Sequence, residues 1–164
     1  MSKRTEFVNA VKQEVENNSI YVWGGQGELV EQATVSKIES MEGQNTTNIN
    51  RVLKHISDIY LKGVKKARMF DCSGLVTYHL IKLGVLMYDM TANGLLNHCN
   101  AITKKELLPG DLVFIVKNGK ASHVAVFVGG ENNDELVEAV GRDVGVAITK
   151  LSTKFNKYGR LPKL

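Results

Sequence analysis

The sequence predicts a single α+β domain whose helices come first and whose antiparallel sheet follows. In the first half of the 164-residue chain, apolar residues recur at helical spacing, while the second half carries short β-branched runs between turn residues. Helices and strands are segregated without βαβ alternation, which argues against a regular parallel sheet. A chain of this length with 43% hydrophobic residues can bury a sizeable core, so we expect one domain over residues 1–164.

The first half contains one clear helix at its start and another after an intervening polar region. Apolar residues at helical spacing over residues 7–15 predict the first helix, which ends at residues 17–19. A second amphipathic pattern covers residues 49–60. Residues 29–38 indicate a weaker helix before it, with residues 42–47 as the connecting loop.

A further helix is predicted to begin at Cys72. Asp71 is a suitable N-cap residue in front of it, and Gly84 stands at the C-terminal end of the apolar stripe. The stripe consists of Leu75, Val76, His79, Leu80 and Leu83. A cysteine in the first turn lies among backbone N–H groups without helical partners, and the helix dipole favours its thiolate. We therefore expect Cys72 to be a reactive thiol.

The second half predicts four strands of an antiparallel meander. The β-branched runs cover residues 111–117, 123–128, 135–140 and 145–151, and Asn-Gly, Gly-Gly and Gly-Arg-Asp turn signals separate them. We expect this sheet to pack against the helix that begins at Cys72.

The predicted strands place a histidine and a glutamate where both could take part in catalysis by Cys72. Period-two alternation puts His123 and Ala125 on one face of their strand, and Glu138 is an unusual carboxylate between two apolar residues. If residues 130–133 form the hairpin loop, Ala125 lies opposite Glu138. His123 is then a diagonal neighbour of Glu138, roughly 7–8 Å away between backbones. The carboxylate would hold one imidazole nitrogen while the other exchanges a proton with the sulfur.

Composition and charge limit the functional classes. The net charge of +4 and the pI of about 9.0 would favour binding to anionic polymers such as a bacterial wall or nucleic acid, although a mild positive excess more often serves solubility alone. No apolar run is long enough to span a bilayer, and the first residues lack the pattern of a secretory signal. Two cysteines without a Cys or His cluster predict neither a disulfide framework nor a metal site, and Cys99 is interpreted as structural.

The order of several short motifs resembles the NlpC family of papain-like cysteine peptidases, which cut bacterial peptidoglycan. The motifs are YVWGG, FDCSGLV, LPGDLVF, HVAVFVG and VEA with a following GV, spread over residues 19–151. The resemblance implies a papain-like core in which Cys72 is the nucleophile and His123 the base. Glu138 stands at the family's third polar position, where other members often carry a second histidine.

The same resemblance implies roles for the residues around the nucleophile. Tyr21, in the family's YxxGG element, would stabilise the oxyanion together with the backbone N–H of Cys72. Asp71 and Ser73 match positions that shape the pocket for the stem peptide. The family usually passes from YxxGG to DCSG within a few residues, whereas residues 28–68 intervene here. We interpret them as a helical insertion that either adds contacts to the wall or stabilises the fold.

Two further positions carry expectations of their own. Trp23 is expected to pack against the protein rather than to stack on a sugar. Arg142 and Asp143 are expected to form the turn between the last two predicted strands, with the alternative that they line the substrate cleft.

The resemblance implies a peptidoglycan endopeptidase that cuts between γ-linked D-glutamate and the diamino acid and requires no cofactor. Three alternatives stay open: an N-acetylmuramoyl-L-alanine amidase, an amide hydrolase acting outside the wall, and a wall-binding module without activity. The expected partner is the stem peptide; nucleic acid and membrane insertion are not expected, and the oligomeric state is left open. Without an export signal, the chain fits a phage or prophage lysin, or the catalytic domain of a longer exported protein.

Overall fold

The computed structural model describes all 164 residues as five α-helices and nine strands in two sheets. The helices are α1 (Lys3–Glu16), α2 (Val35–Met41), α3 (Thr46–Leu61), α4 (Cys72–Lys82) and α5 (Ala92–His98). The strands are β1 (Ile20–Tyr21), β2 (Gln26–Leu29), β3 (Arg68–Phe70), β4 (Asn100–Ile102), β5 (Leu112–Lys117), β6 (Lys120–Gly129), β7 (Glu135–Gly141), β8 (Gly145–Lys150) and β9 (Lys157–Arg160). None of the helices combines the length and the apolar composition needed to cross a lipid bilayer.

The larger sheet contains the predicted meander, with each strand antiparallel to the next from β5 to β8. Its complete order is β4-β9-β5-β6-β7-β8. The sequence pattern does not predict β4 and β9, because strands of three and four residues with polar and glycine positions give no period-two signal. The α+β class, with the sheet packed against α4, is confirmed.

The smaller sheet joins two segments that lie far apart in the sequence. Its order is β1-β3-β2, with β1 parallel and β2 antiparallel to β3. The register pairs Tyr21 with Phe70, the residue that precedes Asp71. Because β3 runs directly into α4, this sheet places Tyr21 next to the first turn of the helix that begins at Cys72.

The predicted helices over residues 7–15, 49–60 and from Cys72 onward are confirmed as α1, α3 and α4. The prediction of a weaker helix over residues 29–38 is wrong for the first part of that range. Leu29 ends β2, and a single 3₁₀ turn follows it. The α-helix begins only after Thr34, whose hydroxyl oxygen accepts a hydrogen bond from the backbone N–H of Lys37 and caps α2.

Three apolar clusters fill the space between these layers. Helices α1, α4 and α5 cover one face of the large sheet, in a cluster that includes Phe7, Leu75 and Val126. Phe127 and Phe155 belong to a second cluster on the opposite face, as the alternation along β6 requires. The third cluster joins α2 and α3 to the small sheet. Since Leu75 is 1% exposed, α4 is anchored in the core one turn after Cys72, its first residue.

Candidate active site

Cys72 is the first residue of α4, and its side chain is partly exposed. Asp71 precedes it in an extended conformation, and a carboxylate oxygen of Asp71 accepts a hydrogen bond from the backbone N–H of Gly74 at 2.7 Å. This is the N-cap contact that the sequence predicts. The thiol therefore lies in the first helical turn, where N–H groups without helical partners favour a negative charge.

The glycines of YVWGG and DCSG meet at this helix start. The carbonyl oxygen of Gly25 accepts a hydrogen bond from the backbone N–H of Asp71 at 3.0 Å, and the N–H of Gly24 donates to the second carboxylate oxygen of Asp71 at 3.1 Å. A Cβ atom at Gly74 would collide with the carbonyl oxygen of Gly25, so this close approach requires glycine. The YVWGG loop is thereby fixed against the first turn of α4.

His123 and Glu138 form a hydrogen-bonded pair beside the helix start. Nε2 of His123 lies 2.6 Å from Oε2 of Glu138, and the two side chains are 19% and 3% exposed. Strands β6 and β7 pair Val126 with Val137, which puts Ala125 opposite Glu138. The predicted register, with His123 as the diagonal neighbour of Glu138, is therefore confirmed.

Thr149 holds the far side of the Glu138 carboxylate. Its hydroxyl donates to Oε1 of Glu138 at 2.9 Å. Burial alone would raise the pKa of Glu138, but hydrogen bonds with His123 and Thr149 bring this pKa below its ordinary value. The sequence gives no sign of Thr149, because threonine is common in strands and only the pairing of β7 with β8 brings it here. The carboxylate is thus ionised at neutral pH and held at both oxygens.

The imidazole of His123 lies beside Cys72 and is hydrogen-bonded to Glu138. Burial alone would lower the pKa of His123, but the hydrogen bonds with Cys72 and Glu138, and then the charges of these two groups, raise it to about 9. The imidazole is therefore protonated at neutral pH. Because Nε2 faces Glu138, Nδ1 is the nitrogen left for the sulfur.

Tyr21 approaches the same centre from the small sheet and packs, partly buried, among the residues around α4. Burial first, and then the charges of Cys72 and Asp71, raise the pKa of Tyr21 to about 12. The phenol therefore keeps its proton at neutral pH. It can donate a hydrogen bond to an oxyanion that forms beside Cys72.

Asp71 and Ser73 flank the nucleophile, as the motif implies. The hydroxyl of Ser73 donates to Oδ1 of Asp71 at 3.3 Å. Burial raises the pKa of Asp71, although hydrogen bonds from Gly74, Ser73 and Gly24 oppose this rise. Both carboxylate oxygens of Asp71 are thus hydrogen-bonded within the protein. Capping α4 is therefore a sufficient role for Asp71, without any contact with substrate.

Trp23 is exposed, and the expectation that it packs is wrong. Its relative exposure is 61%. It lies in the turn between β1 and β2, where its backbone N–H donates to Oε1 of Glu42 at 2.9 Å. The backbone is held while the ring extends into solvent, an outcome that residue type alone does not predict.

The second thiol, Cys99, caps α5 and lies against Gly159. Burial raises the pKa of Cys99 to about 12. Such a thiol is a poor nucleophile at neutral pH, in agreement with the structural role expected for it. Cys72 and Cys99 are both free, and no group of three or more His, Cys, Asp or Glu side chains gathers in a metal-binding arrangement.

A family profile adds support that is independent of this geometry. The profile of the NlpC/P60 family matches residues 57–160, which is more than half of the chain and includes Cys72, His123 and Glu138. The chain belongs to the NlpC/P60 family. Membership confirms the resemblance that the order of the motifs indicates.

Among the curated relatives, the murein DD-endopeptidase MepH of Escherichia coli strain K12 is 32% identical over 129 residues. The alignment covers 74% of this chain and 46% of MepH. The chain thus spans less than half the length of the curated relatives that it matches.

Solved structures of NlpC/P60 domains share the fold. The peptidoglycan hydrolase RipB of Mycobacterium tuberculosis superposes with a TM-score of 0.60 at 20% identity, over 96% of this chain and 66% of that chain. RipD of the same organism, described as a non-catalytic NlpC/p60 domain protein, gives 0.55 at 17% identity, over 94% and 96%. These likenesses support the fold alone, and that fold occurs both with and without catalysis.

Proposed function

We propose that this chain is a cysteine peptidase that hydrolyses amide bonds in peptidoglycan stem peptides. One arrangement carries the proposal: Cys72 at the start of α4 lies beside the imidazole of His123, and buried Glu138 is hydrogen-bonded to Nε2 of that imidazole. Such a set supplies a nucleophile, a proton carrier and an orienting carboxylate. The name of MepH, together with family membership, supports peptidoglycan as the substrate class.

In the first half of the reaction, the thiolate of Cys72 attacks the amide carbonyl carbon and forms the Sγ–C bond. Negative charge moves to the carbonyl oxygen, where the hydroxyl of Tyr21 and the backbone N–H of Cys72 donate hydrogen bonds. When the intermediate collapses, the C–N bond breaks and Nδ1 of His123 gives its proton to the leaving amine. The products of this half are a free amine, an acyl-enzyme and a neutral imidazole.

In the second half, water attacks the thioester carbon while the neutral imidazole of His123 takes one of its protons. The C–S bond breaks, which returns Cys72 to its thiolate and releases a carboxyl product. His123 is again an imidazolium, and Glu138 stabilises this charge in both halves through the 2.6 Å hydrogen bond. Apart from the substrate and this water, the groups that act in the cycle are side chains and backbone of this chain.

The scissile bond is the finer part of the proposal. Motif resemblance favours the bond between γ-linked D-glutamate and the diamino acid. The name of MepH, at 32% identity, supports a DD-bond as a second candidate. An amidase acting between muramic acid and L-alanine would use the same residues. We place the action at the bacterial cell wall, either after release as for a phage lysin or within a longer exported protein.

An inactive wall-binding module is the main rival, since RipD has this fold and is described as non-catalytic. The site of this chain argues against that alternative, because a thiol, an imidazole hydrogen-bonded to a carboxylate, and a phenol all lie around the start of α4. A module without activity would not require a buried Glu138 whose two carboxylate oxygens are both hydrogen-bonded.

Residues 28–68 are proposed as an insertion within one domain. Ile38 and Val52, from its two helices, share an apolar cluster with Ile20 and Met69 of the small sheet. This shared core supports the stabilising role of the insertion more than a role in wall contact. Removing the insertion would expose that cluster, so its effect is better tested by point variants.

The experiment that tests the proposed function is mass spectrometry of muropeptides after purified sacculi are incubated with wild type or Cys72→Ala. New amino termini at the diamino acid are expected from the wild type alone. New termini at a D-amino acid would select the DD-bond, and free lactyl groups would select the amidase. If sacculi yield the same muropeptides with both proteins, a peptidoglycan hydrolase is refuted.

A further inference from the structure

A buried ion pair joins the proposed insertion to the turn between β7 and β8. Nε of Arg142 lies 3.0 Å from both carboxylate oxygens of Glu42, and one terminal guanidinium nitrogen of Arg142 lies 2.6 Å from Oε2. The side chains are 16% and 0% exposed. A pair this short, bidentate and shielded from water holds both side chains in one geometry.

This pair lies against the tyrosine of the active site. The guanidinium carbon of Arg142 is 5.3 Å from the centroid of the Tyr21 ring, within the range of a cation–π contact. Oε1 of Glu42 also accepts the backbone N–H of Trp23, two residues beyond Tyr21. The same carboxylate therefore holds the backbone after Tyr21 and the cation on its ring.

A second residue of the insertion, His55, contacts the backbone of Arg142. Nδ1 of His55, on α3, lies 3.2 Å from the carbonyl oxygen of Arg142. Arg142 is thus held at two points: Glu42 binds its guanidinium, and His55 contacts its main-chain carbonyl oxygen. The turn expected at this position is confirmed, but the side chain of Arg142 extends toward Tyr21.

We propose that Arg142 is a positioning residue for the reaction: clamped by Glu42, its guanidinium fixes the Tyr21 ring so that the phenol meets the oxyanion. The inference rests on the proposed function, because it assigns how one group of that site is held. It also gives the insertion a part in catalysis, through Glu42. A planar guanidinium can stack on the ring and bind a carboxylate with two nitrogens at once, which a lysine ammonium cannot do.

The kinetic test compares Arg142→Lys with Arg51→Lys on a soluble muropeptide. Arg51 is a matched control, because it pairs with Asp143 on the same turn, but both side chains are exposed and neither contacts Tyr21. We expect Arg142→Lys to lower kcat about tenfold with KM within about twofold, since a misplaced oxyanion donor affects the transition state. Arg51→Lys should leave both constants near wild type. An unchanged kcat in Arg142→Lys would overturn the proposal.

A double variant separates positioning from plain stabilisation. Glu42→Gln alone leaves a buried, unpaired guanidinium and can unfold the protein, whereas Glu42→Gln combined with Arg142→Gln leaves no charge unpaired. We expect the double variant to melt at a higher temperature than Glu42→Gln while its kcat stays low, because nothing holds the Tyr21 ring. If kcat recovers along with the melting temperature, the pair is only structural and the proposal is wrong.

A readout without substrate keeps this inference distinct from the proposed function. In protein labelled with ¹³C at the rings of its five tyrosines, Tyr21→Phe assigns the signal of Tyr21. That signal should shift in Arg142→Lys and stay in place in Arg51→Lys. If the wild type releases no muropeptides and the shift is still seen, the proposed function fails and the positioning contact stands. A Tyr21 signal that is the same in all variants would refute the positioning.

Discussion

Replacing Glu138 by glutamine tests the electrostatics of the site. The substitution keeps the size of the side chain and an oxygen for hydrogen bonding, but it removes the negative charge 2.6 Å from Nε2 of His123. The carboxylate is 3% exposed, so water screens its effect on the imidazole only weakly. The pKa of His123 is the quantity that should respond.

The size of the response follows from the position of that pKa. Burial works against the imidazolium, yet contacts with Cys72 and Glu138 raise the pKa of His123 from 6.5 to about 9. The difference of about 2.5 pH units corresponds to roughly 3 kcal/mol that favours the charged form. Since Cys72 contributes beside Glu138, loss of one of the two partners should lower the pKa by about one unit.

The assay is the pH dependence of kcat/KM on a soluble muropeptide, because the alkaline limb reports loss of the imidazolium. For the wild type this limb should lie near pH 9, and in Glu138→Gln it should move down by about one unit. Thr149→Val is the matched control: it removes the hydroxyl that donates to Oε1 of Glu138 but leaves the charge, so its limb should move less. A limb that stays at the wild-type pH in Glu138→Gln would refute the argument.

The same pKa predicts a dependence of stability on pH. A pKa that is higher in the folded than in the unfolded state stabilises the fold fully below about pH 6.5, and this contribution is lost as the pH rises through about 9. The melting temperature of the wild type should therefore decline over that window, and the decline should be smaller in Glu138→Gln. Equal declines in the two proteins would contradict the assigned contact.

Three further predictions concern the groups around the nucleophile. Native protein treated with iodoacetamide at neutral pH should be alkylated at Cys72 but not at Cys99, because the pKa of Cys99 of about 12 keeps that thiol protonated. Peptide mapping measures the labelling of each cysteine, and equal labelling of the two would contradict the prediction. Gly74→Ala should lower the free energy of unfolding by about 1–3 kcal/mol in urea titrations, because the added Cβ meets the carbonyl oxygen of Gly25. Tyr21→Phe should lower kcat about a hundredfold if the phenol stabilises the oxyanion, and an unchanged kcat would remove it from the mechanism.

The core of the site could be predicted because each part has a local signal. Asp71 before Cys72 indicates a capped helix, and the cap is found. Alternation along two neighbouring strands determines the face on which His123 and Glu138 lie, and the hairpin loop determines their register. The contact between these residues then follows from strand geometry.

The parts that escaped prediction depend on contacts between distant segments. Arg142 and Glu42 are 100 positions apart, and neither belongs to a periodic pattern that would indicate the other. Strand β1 has only two residues, and most of residues 28–68 lie between it and its partner β3 in the sequence. Short strands and single ion pairs carry too little local information, so only the assembled fold reveals them.

The claim that Cys72 cleaves peptidoglycan is tested most directly by the release of soluble fragments from purified sacculi. Wild type, Cys72→Ala and buffer alone should be compared on walls whose diamino acid is diaminopimelate and on walls where it is lysine. We predict steady release by the wild type from at least one wall and release at the buffer level by Cys72→Ala, with both proteins melting at similar temperatures. Release at the buffer level by folded wild type from both walls, or equal release by the two proteins, would contradict the claim.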